Sequence, residues 1–317
     1  MTHGPRRRRA AVARLALIGA ISCAAAFQPK AGAAAGLFGP SPSRTTAKAH
    51  ATSAASSVAA QVRQALDERR YVDAGDLLDQ AAQAKVNGPD LTCLRGELLL
   101  SLGRFSEALA VYRSVEGEAT TKALMLQGEG LSLSLLDRSE EALPLLQSAT
   151  QLDKSLWRAW NGLGREYDIR RDWSKALAAY TAALAAPGVN AAMVLNNRGY
   201  SHLLQRQLDL ASADFVDALG KDPALSAART NLRITLAMKG AYVRAATTGA
   251  GDDRAAVLNN VGLAAAMRGD YLQAEKLLNE AMAAKGKYYA RAAENLQLSH
   301  DLAARAEEAP VAPNAPH

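Results

Sequence analysis

The sequence predicts an all-α solenoid, with antiparallel helix pairs stacked into a right-handed superhelix and closed by a C-terminal capping helix. Three observations carry that prediction. The chain of 317 residues is 49% hydrophobic but only 5% aromatic, so Ala and Leu supply the apolar surface, and both rank high in helix propensity. Few β-branched residues remain to build a sheet, and Pro, the strongest helix breaker, occurs only 11 times. Above all, one pattern of large and small residues returns every 34 positions, with starts at 55, 89, 123 and 157.

Residues 1–26 have the form of an export leader. Met1 to Arg14 is positively charged, and Leu15 to Ala26 is a short run of small and aliphatic residues. That run is shorter than the roughly 20 residues a membrane-spanning helix needs and suits a secretory signal. Cys23, directly after Ala20-Ile21-Ser22, stands where an exported lipoprotein carries its acylated cysteine. Ser22 is small, as cleavage there requires, while Ala20 replaces the usual Leu. The alternative is cleavage further on, at a site such as Ala31-Gly32-Ala33. Residues 27–54, rich in Pro, Gly, Ser, Ala and Thr without periodicity, are expected to form a disordered tether. If Cys23 is processed, Cys93 has no disulfide partner, and its place in a helical pattern makes it a small buried hydrophobe.

The leader also explains the charge. Residues 1–50 hold eight Lys or Arg and no Asp or Glu, out of 37 basic residues in all, so 51–317 carries 29 basic against 31 acidic side chains. A net charge of +6 thus becomes −2 in the body, and nucleic acid is excluded as the expected partner.

The clearest repeat begins at Trp157. It has Trp160, Leu163, Gly164 and Tyr167 on a first helix, then Ala176, Tyr180 and Ala183 on a second. This spacing matches the tetratricopeptide (TPR) signature. The small residue lets the first helix approach the second, and the large ones fill the gap to the next pair. The same frame divides the body into units at 55–88, 89–122, 123–156, 157–191, 192–225, 226–254 and 255–288. The unit at 226 is short. It is expected to keep a good first helix (Leu232, Leu236, Gly240, Tyr242, Ala245) and to have a stunted second one over Ala246–Asp253, where Gly and Thr weaken helix formation. It is either a hinge or a degenerate repeat. Residues 289–306 form the cap helix, and 309–317 a disordered tail.

TPR repeats present their first helices on a concave surface. The slots beside the packing positions hold Asn161 and Arg165; Asn196, Asn197 and Tyr200; Thr230 and Asn231; and Asn259 and Asn260. Asn is a poor helix former, so its recurrence needs a reason. Either an amide ladder hydrogen-bonds the backbone of an extended peptide, or it ties neighbouring helices together. The clamp for an acidic C-terminal tail is not expected, because Tyr200, Ile234 and Leu263 follow where Arg165 would need basic successors. An amide-rich, partly apolar groove suits a partly hydrophobic protein segment. No phosphate loop, nucleophile elbow or metal-ligand spacing is present. Only His202 and His300 lie in the body, and His202 takes the packing slot of Tyr167. No enzyme activity, cofactor or metal is expected.

With its leader, Cys23 and all-TPR body, the chain resembles the TadD family of tight-adherence (Flp-type) pilus assembly lipoproteins. The likeness is greatest in 229–240 (RTNLRITLAMKG) and 256–271 (AVLNNVGLAAAMRGDY). The resemblance implies a non-enzymatic scaffold, exported to the periplasm and anchored to the outer membrane. Its partners would be subunits of the pilus secretion machine, the secretin or another. A pilotin-like envelope lipoprotein and a co-chaperone-type adaptor are the alternatives.

Overall fold

The structure is a computed structural model that describes residues 44–115, 121–249, 253–285 and 289–307. The expected leader with Cys23, and the tail 309–317, lie outside the described residues. Fifteen α-helices and no strand are present among them. They are α1 (Arg44–Asp67), α2 (Tyr71–Gln83), α3 (Pro89–Ser101), α4 (Phe105–Ser114), α5 (Lys122–Leu135), α6 (Ser139–Leu152), α7 (Trp157–Ile169), α8 (Trp173–Ala185), α9 (Ala191–Leu204), α10 (Leu208–Lys221), α11 (Ser226–Met238), α12 (Tyr242–Thr247), α13 (Arg254–Arg268), α14 (Tyr271–Lys285) and α15 (Ala290–Glu307). Two compact units divide them. The first holds α1–α7, and the second holds most of α8 and all of α9–α15.

Within each pair a tight turn joins the helices, and one residue of that turn is left-handed. Arg69, Asp137, Arg171 and Arg206 have φ of 58–59°, while Gly103, Gly240 and Gly269 have 75°, 81° and 97°. This conformation ends a helix by turning the chain back on the last carbonyls. Glycine adopts it without strain, so the four non-glycine positions carry a small local cost. Asp253 caps the start of α13 by accepting from the Ala255 and Ala256 amides, satisfying donors that a helix leaves orphaned.

Interleaving of large and small residues closes the pairs. An ideal Cβ on Gly130 would lie 2.8 Å from Leu146, on Gly199 2.8 Å from Phe215, and on Gly262 2.8 Å from Leu278. In each case the bulky residue follows its glycine by 16 positions. Tyr112 fills the space beside both Gly96 of its own repeat and Gly128 of the next. Leu146, Phe215 and Leu278 are fully buried.

Two expectations need correction. The segment 27–54, expected to be a tether, is helical from Arg44 onward. The stretch belongs to one helix with the residues that follow it, and that helix is anchored further on by buried Val62, Ala65 and Leu66. In the short unit, Tyr242 and Ala245 belong to the second helix, because α11 stops at Met238 and Gly240 makes the turn. The second helix therefore spans Tyr242–Thr247, six residues, and not Ala246–Asp253.

This short repeat inverts the size rule. Arg233 stands where α3, α5, α7, α9 and α13 carry Gly96, Gly130, Gly164, Gly199 and Gly262, and Gly249 stands 16 residues later in place of the bulky side chain. Arg233 is 4% exposed and donates from Nε to the Thr248 carbonyl at 2.7 Å and from Nη2 to the Gly249 carbonyl at 3.2 Å. Its guanidinium thereby satisfies the carbonyls of the two residues that follow α12, where cationic donors are favoured.

Candidate functional site

In the second unit the asparagines form a repeated bonding pattern. Asn196 Nδ2 donates to Asn197 Oδ1 at 3.3 Å, while Asn196 Oδ1 accepts from Asn231 Nδ2 at 3.0 Å. Sixty-three residues further on, Asn259 Nδ2 donates to Asn260 Oδ1 at 3.2 Å, and its Oδ1 accepts from Asn295 Nδ2 at 2.9 Å. Asn196 is 6% and Asn259 1% exposed. These amides tie one first helix to the next. Asn197, Tyr200, Thr230, Asn231 and Asn260 are half-buried.

Asn295 escaped the sequence reading, although it has a visible signal. The α15 segment Asn295-Leu296 with Ser299 repeats Asn231-Leu232 with Thr235 of α11 at the same spacing. Thr235 Oγ1 donates to the Asn231 carbonyl at 2.8 Å. Helix α15 is thus laid down as a further first helix against α13 and α14.

His202 packs as expected and is also hydrogen-bonded. Its Nδ1 lies 2.7 Å from Gln207 Oε1, and Nε2 lies 3.7 Å from Asp214 Oδ2. Asp214 is held by a two-pronged bond from Arg198, at 2.8 and 2.6 Å, which raises the guanidinium's already high pKa.

In the first unit Asn161 is buried and Arg165 half-buried. Stepping back 34 residues from Asn161 gives Gln127, and 34 more gives Cys93. From Arg165 the same two steps lead to Glu97. These positions share the 34-residue frame but carry Cys, Gln and Glu in place of the downstream amides. Gln127, Cys93 and Glu97 all line one cavity of about 120 Å³. Leu94, Tyr112, Leu124, Trp157 and Arg158 line it as well. The Arg158 guanidinium lies 5.0 Å from the Trp157 ring centroid and pairs with Glu97. Gln127 Oε1 accepts from the Ala159 amide at 3.1 Å. Burial, reinforced by the charges of Asp90 and Glu97, pushes the Cys93 thiol up to about 11. Burial and then Glu97 also raise the Tyr112 phenol, against the smaller pull of Arg158.

No further ligand-type cluster stands out: no group of three or more His, Cys, Asp or Glu is arranged to hold a metal among the described residues. No described helix is long and apolar enough to cross a membrane.

No family model and no curated protein matches the chain. Solved structures do match. The APC/C hetero-tetramer Cut9–Hcn1 aligns at 15% identity over 78% of this chain and 55% of that one, with a TM-score of 0.54. The thermophilic TPR protein TTC0263 from Thermus thermophilus aligns at 19% identity over 57% and 98%, with 0.49. Pseudomonas aeruginosa PilF aligns at 16% over 67% and 96%, with 0.49. At such identities the likeness speaks to fold, and the fold is an all-α TPR solenoid.

Proposed function

We propose that the protein is a non-enzymatic scaffold that captures an extended segment of a partner protein on its first-helix surface, in support of a Tad-type pilus assembly machine. The observation that carries the binding role is the cavity at Cys93, Glu97 and Gln127. It combines charged rim groups, aromatic walls and an open volume on the face that a TPR array uses for contact. The motifs at 229–240 and 256–271 support the assembly role. The leader with Cys23 supports export and attachment to the outer membrane through an acyl chain. The half-buried Arg165, Asn197, Tyr200, Thr230, Asn231 and Asn260 extend the contact surface on their respective units. Asn161, Asn196 and Asn259, being buried, contribute through the positioning of the helices that carry them.

The test is in-cell photo-crosslinking. A crosslinker replacing exposed Arg63, at the cavity rim, is expected to trap a subunit of the secretion machine. One replacing Val243, 79% exposed on a second helix, is expected to trap none. Crosslinks from 243 alone would overturn the binding surface, and a captured partner outside the envelope machinery would overturn the pilus role. Labelling with radioactive palmitate tests the anchor: incorporation equal in the wild type and Cys23→Ala rules it out.

A further inference from the structure

The first helices α9, α11, α13 and α15 repeat one short pattern: Asn, an apolar residue three positions later, and Leu or Met four beyond that. The upper apolar positions are Tyr200, Ile234, Leu263 and Leu298. The lower ones are Leu204, Met238, Met267 and Leu302. Residues four apart share a helix face, and the helices pack in sequence, α9 on α11, α11 on α13 and α13 on α15. The amide bonds to Asn196 and Asn259 fix the register of the first and last of these pairs. Two apolar rows therefore run side by side across the second unit. Leu204 and Met267 are 40% and 42% exposed, and the others are half-buried. Neither row holds a charged residue, whereas α3 and α7 carry Glu97 and Arg165 at the upper position. Lys239 and Arg268, which follow the lower row, are paired with Asp209 and Asp270. An occupant of this strip has uncharged side chains, because a charge set down on it would lose water without gaining a partner.

Spacing narrows the occupant further. Packed helices stand about 8–10 Å apart, and three residues of polyproline II backbone advance about 9 Å. A chain laid across the strip thus meets one helix with every third side chain. The sequence that follows α15 has this form. Residues 308–317 lie outside the described residues, but Pro310, Pro313 and Pro316 recur at every third position, and 309–316 contains no charged side chain. Proline also enters such a seat with little conformational freedom left to lose. Position in the fold agrees. The lower row lies at the end of the first helices, since α9 ends at Leu204, α11 at Met238 and α13 one residue after Met267. Those ends fall on one edge, and the chain leaves α15 at that edge. Helix α15 runs from Leu302 on to Glu307, about 7–8 Å, which residues 308–310 are long enough to retrace. From Pro310 to Pro316 is about 19 Å, enough for two helix spacings.

We propose that residues 309–317 seat on the lower row of their own chain, with Pro310, Pro313 and Pro316 against Leu302, Met267 and Met238. The tail is then an internal competitor for the capture surface of the second unit, and a partner segment must displace it. This rests on the reading of the first-helix face as the capture surface. It adds what covers that face before a partner arrives.

The experiment replaces Met267 in the full chain by a photo-crosslinker and identifies the products by mass spectrometry. Crosslinks to peptides from 309–317 are expected, and none from a crosslinker at Leu272, 86% exposed on a second helix. In a mixture of isotopically heavy and light chains, the products are expected to join like with like. Heavy–light products would overturn the proposal in favour of a second copy on the strip. Pro313→Glu is expected to lower the crosslink yield roughly fivefold. A labelled 309–317 peptide is expected to bind a chain that stops at Glu308 roughly tenfold more tightly than the full chain, whose own tail competes at high effective concentration. Circular dichroism checks that each variant is folded. No crosslink from 267 to the tail, an unchanged yield in Pro313→Glu, or equal peptide binding by the two chains overturns the proposal. The crosslinker at Arg63 keeps the two readings apart. Partner capture from 63 without tail crosslinks from 267 leaves the capture surface and removes the tail, and the opposite result does the reverse.

Discussion

The frame is set by single glycines whose missing side chains are occupied by someone else's. Gly128 is the sharpest case, because a Cβ there would lie 2.1 Å from the Tyr112 ring, so that the buried ring or the helix must shift. Gly128→Ala is expected to destabilise the protein by about 1–3 kcal/mol through overpacking. Urea unfolding followed by circular dichroism measures it, and Tyr112→Leu in the same chain should restore part of the loss. At this scale the sequence was largely legible: the small slots and their bulky partners 16 residues later stand in fixed register. The polar slots were less so. Their residue types suggest hydrogen bonding equally well to a peptide or to a neighbouring helix, and only the geometry shows Asn196 and Asn259 turned toward Asn231 and Asn295.

At the scale of the element, the informative helix is α12. Six residues leave most of its backbone groups without intrahelical partners, and isolated helices of that length do not persist in water. Arg233 holds its exit by donating to the carbonyls of Thr248 and Gly249, the two residues that follow it. Arg233→Ala is expected to cost about 2–3 kcal/mol, since bonds from a charged donor in a buried setting are lost. Hydrogen exchange should show protection vanishing over 242–248 while α13 and α14 keep theirs. Uniform loss across all three helices would mean that α12 is held by its neighbours and not by Arg233. The exchange of Gly for Arg at a small slot was visible in the sequence, but its meaning was not. It depends on where the second helix ends, and Gly240 had to be recognised as a turn before Tyr242 could be placed on the right helix. The helical stretch from Arg44 was hidden for a different reason. A segment of mixed Ala, Ser and Thr without an apolar stripe lacks the periodicity that marks a packed helix, and what supports it is continuity with the later part of α1, where Val62, Ala65 and Leu66 are buried.

For the molecule as a whole, charge and fold belong to different parts of the chain. Replacing Arg6, Arg7, Arg8 and Arg9 by Gln removes four of the eight Lys or Arg in residues 1–50. In the uncleaved chain this is expected to lower retention on a cation exchanger sharply, with an unchanged circular dichroism spectrum. Retention that survives the change would point to a basic surface on the solenoid itself. The fold class was legible because a repeat architecture states its rule many times over, so one irregular unit does not obscure it. The cavity at Cys93 was less legible, because no one of its residues is unusual alone.

The pairing of Asn295 with Asn259 has a consequence for how such a chain changes length. Helix α15 makes toward α13 the amide contact that α11 makes toward α9, so the surface that it offers its predecessor is that of an internal first helix. Appending a single second helix after it would complete another repeat without altering any residue upstream. Growth of the array by half-modules, in a duplicating gene or at a designer's bench, then needs only a new end and no repair of the old one.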